Sequence, residues 1–338
     1  MSASISGDLL AATIDVPDLQ ADLLDLLGQL PSGSVTTYGE LARALGDVRA
    51  ARWVGEFLAD HVHGDDCSCH RVVRANGDVG LYVSGDPDEK IDRLQSEGTT
   101  VRDGRADLSR VRRAEQFSTT APLARLKRFL DDVAGRVSER RLPGPCQYLC
   151  GLDVAYTSDG LASGAAVILD ASSLETIEQH TCLVPAPFPY IPGYLTFREL
   201  PVLQTLWDRL VMTSAGSIVC MIDGNGRLHP QRGGIACCFG VINDVPTIGV
   251  TKSLLCGRVE TPNSPATTPA MIRDGDELLG MAMWNRRSRR PIYISVGHRI
   301  TLQESVDLVA HSMTDHRLPE PTFRADRLSK EGKPPSSP

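Results

Sequence analysis

The chain has 338 residues, 42 Asp and Glu against 35 Lys and Arg, a formal net charge of −7 and a hydrophobic fraction of 41%. That length suits two domains with ordinary cores. No apolar run is long enough to span a bilayer, and Met1 to Pro17 lacks a basic stretch followed by an apolar segment, so neither a membrane span nor a signal peptide is expected. Nine cysteines, two of them adjacent at Cys237-Cys238, read as thiols of a reducing cytoplasm rather than a disulfide framework. The acidic total does not announce a nucleic-acid partner, but charge is uneven. Between Arg102 and Arg141 there are eleven Lys and Arg against six Asp and Glu, and Arg286, Arg287, Arg289 and Arg290 form a second basic cluster. Either can meet phosphates; a solvated basic face is the plain alternative.

Asp18 caps a helix whose apolar stripe is Leu19, Leu23, Leu26, Leu27 and Leu30, stopped by Pro31-Ser32-Gly33. Thr37 with Glu40 is the capping-box pattern and opens a short helix ending near Gly46. A third helix runs from about Val48 to Leu58, with Ala50, Val54, Phe57 and Leu58 on one face. Two short helices about a Gly-Asp turn suggest a helix-turn-helix, in which Ala50 and Ala51 allow close approach to a duplex; two helices packed in a core is the alternative. Cys67-Ser68-Cys69-His70-Arg71-Val72-Val73 follows. With His61 and His63 nearby the ligand spacing is cramped, and no zinc site is expected. Structural cysteines before a strand are a second reading. The third is a thiol activated by its neighbouring His, with Glu97 to orient that His.

These stretches, Val35-Thr36-Thr37-Tyr38-Gly39-Glu40-Leu41-Ala42, Ala50-Ala51-Arg52-Trp53-Val54-Gly55, Cys69-His70-Arg71-Val72-Val73, Gly80-Leu81-Tyr82 and Glu97-Gly98, resemble the C-terminal DNA-binding domain of O6-alkylguanine-DNA alkyltransferases over about residues 18 to 103. The resemblance implies a mainly α, winged helix-turn-helix domain over residues 1–104. It makes Cys69 the alkyl acceptor, His70 its base and Glu97 the orienting acid. Arg52 would enter the helix in place of a flipped base, Tyr38 would strain the target phosphate, and Tyr82 would hydrogen-bond the guanine. A base inside the stack must be extruded to reach a thiolate, which agrees with those roles. The sequence departs at Ser68, where Pro is usual, and at Asp60-His61, where Gly-Asn is usual.

Residues 105–122 read as an Arg-rich linker, ending in Gln116 to Pro122. Leu123, Leu126, Phe129, Leu130, Val133 and Val137 fall at helical spacing, ended by Pro143-Gly144-Pro145. Gln147 to Tyr156, Leu161 to Leu169 and Leu174 to Leu183 form a strand meander with an Asp159-Gly160 turn, and a helix is expected around Leu200 to Val211. Ser217 to Asp223 reads as a buried strand that delivers Asp223 to a sheet edge and turns at once at Gly224-Asn225-Gly226. An Asx-turn is the plain reading of Asp223 alone. Asp153 in the middle of another strand, Glu199 and the lone Lys252 shift the balance. Strand aspartates with a glutamate form a hard oxygen set suited to Mg²⁺ or Mn²⁺, repel one another without a cation, and read as metal-dependent phosphodiester hydrolysis.

The ordered motifs GLDVAY (151–156), PFPYIPGYLTFRELP (187–201), DGNGRLHPQRGGIA (223–236), PTIGVTKS (246–253) and PIYISVGHRITL (291–302) resemble endonuclease V, the repair nuclease for deaminated adenine. The resemblance implies an α/β RNase H-like domain over residues 123–329, followed by a disordered tail at 330–338. It makes Asp153, Glu199 and Asp223 metal-binding carboxylates, sets His229 near the scissile phosphate, and gives Lys252 to the nucleic-acid backbone or the attacking water. Tyr190, Ile191 and Pro192 belong to a wedge that parts strands, with Tyr190 stacking on exposed bases. Gly224 lets backbone groups line an inosine pocket. Three positions depart: Asp326 stands where a second His is usual and serves as a substitute hard ligand, Cys237-Cys238 stands where Ser-His is commoner, and Gln231-Arg232 replaces two arginines.

The expectation is a cytoplasmic, monomeric DNA-repair protein that touches no membrane. Its nuclease nicks deoxyinosine DNA 3′ to the lesion with Mg²⁺ or Mn²⁺, and its first domain moves an alkyl group from O6-alkylguanine to Cys69. Two alternatives stand beside it: a first domain that binds alkyl lesions without chemistry, and a nuclease acting on inosine in RNA.

Overall fold

A computed structural model describes residues 15–64, 66–211, 217–260, 269–285, 288 and 290–331. Arg286, Arg287 and Arg289 of the second basic cluster, the first fourteen residues and the tail beyond 331 lie outside the described residues. The chain packs as two compact units: Val16–Arg128 with Phe188–Tyr194, and Phe129–Pro187 with the chain from Leu195 onward. No described helix is long and apolar enough to cross a membrane.

In the first unit, α1 (Leu19–Gly28) starts where the Asp18 carboxylate accepts the backbone N–H groups of Gln20 and Ala21, at 3.0 and 3.1 Å. Its leucine stripe is buried, together with Leu30. A strand not expected from the pattern follows, β1 (Ser34–Thr37), whose β-branched residues are buried on both faces. Thr37 then caps α2 (Tyr38–Ala44) by accepting the Glu40 N–H at 3.1 Å. Only half of the capping box forms, because the Glu40 carboxylate takes Arg43 at 2.6 Å instead. A 3-10 turn at Val48–Ala50 leads into α3 (Ala51–Asp60), so the third helix is tighter at its start than its periodicity predicts. Beyond the Cys67 to Arg71 turn come β2 (Val72–Val73), α4 (Pro87–Ser96), β3 (Val101–Arg102), β4 (Arg105–Ala106) and β5 (Arg112–Arg113). Strand β1 pairs in parallel with β2 and β5, and β3 pairs antiparallel with β4. The Arg-rich stretch 105–122 therefore supplies two strands to sheets of this unit.

Helix α5 (Pro122–Arg136) buries Leu123, Leu126, Leu130 and Val133, the stripe expected from spacing. The second unit then forms the meander β6 (Tyr148–Tyr156), β7 (Leu161–Asp170) and β8 (Thr176–Pro185), all antiparallel. Helix α6 (Leu195–Trp207) begins earlier than Leu200 and runs through Pro201. Burial of Phe197, Leu200, Leu203 and Leu206 outweighs the lost backbone bond. There follow β9 (Ile218–Asp223), α7 (Ile235–Asn243), β10 (Thr247–Thr251), β11 (Arg258–Val259), β12 (Ala270–Asp274), β13 (Glu277–Met283), β14 (Ile292–His298), α8 (Leu302–His311) and α9 (Glu320–Glu331). The described strands make one mixed sheet in the order β11-β12-β13-β14-β10-β9-β6-β7-β8. Only β6, β9 and β10 run parallel to one another, at its centre. Leu149, Val219, Met221, Ile248, Val250, Ile294 and Val296 fill the core on one face. Helix α9 lies hard against β6: a Cβ placed on Gly151 would stand 1.9 Å from the Pro321 carbonyl oxygen. Only glycine permits that approach.

Candidate metal centre and thiol pocket

The parallel strands set the register of the first site. Leu152 lies opposite Ile222 across β6 and β9, and Asp223 lies opposite Val250 across β9 and β10. Asp153, Asp223 and Lys252 therefore arrive together toward the carboxyl ends of the three central strands, where open α/β sheets bind ligands. Helix α9 adds Asp326, and carboxylate oxygens of Asp153, Asp223 and Asp326 all lie within 4.8 Å of one another. Ser329, one helical turn beyond Asp326, donates to Asp153 Oδ2 at 2.6 Å.

The electrostatics are those of crowded anions. Burial and then the Asp223 charge push Asp153 up to about 6, against some relief from Ser329. Burial also raises Asp223 despite the Lys252 ammonium beside it. Lys252 Nζ stands 2.9 Å from Asp223 and 2.8 Å from Asp326. Burial alone would lower Lys252, but the two carboxylates hold it above the ordinary lysine range. Asp326 is likewise held low against its burial by Lys252 and by Lys330, 2.5 Å away. Three clustered oxygen donors on rigid elements, two of them raised in part by neighbouring carboxylates, are a chemical fit to a hard divalent cation.

Glu199 is buried on α6 outside the tight trio. Burial first, then Asp153 and Asp223, raise its carboxyl well above normal, so it shares their field. His229 is buried and accepts the Gln231 N–H at Nδ1, 3.3 Å away; it is not a member of the trio. Gly224 donates its N–H to Val250 O at 3.0 Å, and a Cβ there would meet Ile235 at 2.4 Å. In the expected wedge, Tyr190 is 63% exposed and Pro192 is exposed, but Ile191 is buried. Ile191 packs beneath the two exposed residues that flank it. The loop ends in Tyr194, fully buried, whose hydroxyl donates to Asp47 Oδ2 at 2.8 Å. Cys237 and Cys238 are buried small hydrophobes of α7.

The second site is a pocket in the first unit. Cys69 is buried in the turn after Cys67, and Glu97 closes α4. Glu97 Oε1 takes His70 Nε2 at 3.0 Å, and both its oxygens take Arg71 Nε. Arg71, then His70, outweigh burial and hold Glu97 down at about 2. Ser68, standing where Pro is usual, accepts Arg71 Nη1 at 2.8 Å. The His70–Glu97 pair is therefore formed, but His70 Nδ1 faces Cys67 O at 3.2 Å and not the Cys69 sulfur. The imidazole on Cys69 is that of His63, with Nδ1 3.4 Å from Sγ. Its Nε2 meets the Tyr82 hydroxyl at 3.1 Å. Tyr38 is part-buried, its hydroxyl raised by burial against the pull of Arg74. Arg52 projects from α3 with its side chain 88% exposed and paired to Glu56 at 2.7 Å.

The Cys-x-Cys-His run, whose spacing reads as cramped for a metal, folds so that several of its donors face one another. His61, His63, Cys67 and Cys69 bring one donor atom each to within 4.8 Å of the others, and His70 is not among them. Two alternating pairs, His61-x-His63 and Cys67-x-Cys69, were the available signal. Ser329 was missed because nothing local marks it; its place three residues after Asp326 was the only hint.

Residues 131–327 match the family described as Endonuclease V, and residues 18–99 match that described as 6-O-methylguanine DNA methyltransferase, DNA binding domain. Over 305 residues, 88% of this chain and 92% of the relative, the sequence is 36% identical to a bifunctional methyltransferase/endonuclease of Picrophilus torridus. Among solved structures, the endonuclease V of Streptomyces avermitilis superposes with a TM-score of 0.55 at 34% identity, covering 61% of this chain and 91% of that one. The Ciona intestinalis endonuclease V, solved with a 24mer DNA containing an inosine followed by a ribo-adenosine, does so at 0.55 and 25% identity, covering 62% and 96%.

Proposed function

The chain belongs to the endonuclease V family and joins to it an alkyltransferase-type DNA-binding domain, and from that premise we propose that its second unit nicks DNA at deoxyinosine, on the 3′ side of the lesion, with Mg²⁺ or Mn²⁺ as cofactor. The observation that carries this reading is the convergence of Asp153, Asp223 and Asp326 at the ends of the central strands. Those three would hold the ion, with Glu199 behind them. Bound there, the ion supplies Lewis-acid relief of the charge that develops on the scissile phosphate. Ser329 fixes the Asp153 carboxylate, and the Asp223–Lys252–Asp326 bridge aims an ammonium at the same place, where it attracts the phosphate backbone. Tyr190 offers an exposed ring for base stacking beside the lesion. The test is cleavage of matched DNA strands with one deoxyinosine or one adenine, and of the inosine RNA strand, by wild type and Asp223→Ala. Cleavage only of the deoxyinosine strand, lost in the variant, is expected. Equal cleavage of the adenine strand, or nicking that survives in the variant, refutes the reading.

For the first unit, the reading is alkyl transfer to Cys69. The thiolate bonds to the alkyl carbon, the carbon–O6 bond breaks, and its electron pair leaves on the guanine, which takes up a proton. Burial of Cys69 beside Tyr82, with Arg52 exposed to replace an extruded base, supports it. One observation favours the second reading, a lesion-binding module without chemistry: both ring nitrogens of His70 are engaged, by Cys67 O and Glu97. Intact-protein mass after incubation with an O6-methylguanine oligonucleotide separates them. A gain of one methyl, absent in Cys69→Ala, establishes transfer; tight binding with no gain establishes the module.

A further inference from the structure

We propose that His61, His63, Cys67 and Cys69 form a tetrahedral zinc site built into the thiol pocket. The inference concerns the metal and stands whether or not Cys69 accepts an alkyl group. Two thiolate sulfurs with two imidazole nitrogens are the donor set that selects Zn²⁺ over the hard cations of the nuclease centre. His61 Nε2 stands 3.2 Å from Cys67 Sγ, and His63 Nδ1 stands 3.4 Å from Cys69 Sγ. Edges of about 3.3 to 3.8 Å are what a zinc tetrahedron requires, given nitrogen and sulfur bonds of about 2.0 and 2.3 Å.

The ring tautomers argue for it independently. His61 Nδ1 is 3.2 Å from Leu58 O, a carbonyl that only accepts, so Nδ1 carries the proton and Nε2 turns its lone pair toward Cys67. On His63 the far nitrogen, Nε2, meets the Tyr82 hydroxyl at 3.1 Å, leaving Nδ1 to face Cys69. A ligand histidine anchored through its other ring nitrogen is the arrangement that metal sites use to fix ring orientation. A disulfide between Cys67 and Cys69 would need neither imidazole, and both cysteines are free thiols. On binding, the two thiols release their protons to solvent, and the product of Zn²⁺, two thiolates and two neutral rings carries no net charge, which suits a largely buried pocket. The ion would tie the end of α3, at His61, to the turn that carries Cys69. It would also hold Cys69 as thiolate without calling on His70.

The test uses the full chain in a non-thiol reductant, with zinc measured directly and then replaced by Co²⁺. One zinc per chain is expected, and the cobalt form should show the intense visible absorption of a tetrahedral ion with a near-ultraviolet thiolate-to-cobalt band. The hard oxygen site cannot produce that band, so Asp223→Ala keeps it. Cys67→Ser should abolish it, and His63→Asn should weaken metal affinity about tenfold or more. If Cys67→Ser does not fold, wild type and His63→Asn decide. A reduced wild type with no thiolate band, one whose Cys67 and Cys69 close into a disulfide in place of binding, or a band indifferent to both substitutions overturns the proposal.

Discussion

Gly151→Ala tests whether α9 really completes the nuclease centre. The new methyl carbon would sit 1.9 Å from the Pro321 oxygen and 2.2 Å from its carbonyl carbon, both backbone atoms at the head of the helix. Ordinary contact begins at 3.4 Å, so α9 must retreat by about 1.5 Å. Overpacking of this kind costs about 1–3 kcal/mol. In a unit of this size that lowers the melting temperature by about 2–12 °C. The catalytic effect should be larger than the stability effect, because α9 brings Asp326 and Ser329 to Asp153. A misplacement of about 1 Å typically costs about 100-fold in rate. Single-turnover nicking of a deoxyinosine strand, under saturating Mg²⁺, should therefore fall about 100-fold. Binding of an O6-methylguanine oligonucleotide by the other unit should stay within about twofold. Nicking at the wild-type rate together with an unchanged melting temperature would show that α9 does not position the carboxylates.

Asp153 also predicts a pH dependence. Its pKa is raised from 3.8 to about 6, so the stability it contributes is present below 3.8 and is lost as pH rises through about 6. In a chelator the second unit should melt lower at about pH 7 than at about pH 5, and Mg²⁺ should shrink the difference; a slope that persists in Asp153→Asn would assign the effect elsewhere. Glu97 has the opposite sign: held at about 2, it stabilises above 4.5 and loses its contribution as pH falls toward 2. Glu97→Gln strands the mostly buried Arg71 and should cost about 2–3 kcal/mol, read as faster hydrogen exchange in α4 and β2; unchanged exchange would mean the pair is replaceable by water. Tyr190→Ala should raise KM for deoxyinosine DNA about 5- to 150-fold with kcat little changed. If KM does not move, the exposed ring does not touch the substrate.

What was legible in the sequence was what local chemistry dictates. Asp18 caps its helix, the leucine stripe of α1 is buried, and the apolar run ending at Asp223 is a central strand. The meander β6–β7–β8 follows its turn signals. Asp153 and Asp223 could be nominated because a carboxylate within or at the end of an apolar strand is costly without a partner. One local pattern hid another use of the same residue. Glu40 completes a capping-box motif yet bonds Arg43. Convergence over distance left no local trace. Ser329 meets Asp153 across 176 residues, and His63, rather than the adjacent His70, faces Cys69 because a buried turn folds back on itself.

The close seating of α9 on β6 also has a bearing on the order in which a growing chain acquires its abilities. Asp153 and Asp223 leave the ribosome on strands finished long before Asp326 and Ser329 are made. Until that last helix docks, Asp153 lacks its serine and Lys252 lacks one of the two carboxylates that hold it. Units fold as they emerge, so the first unit is made whole while the carboxylate cluster of the second still waits for α9.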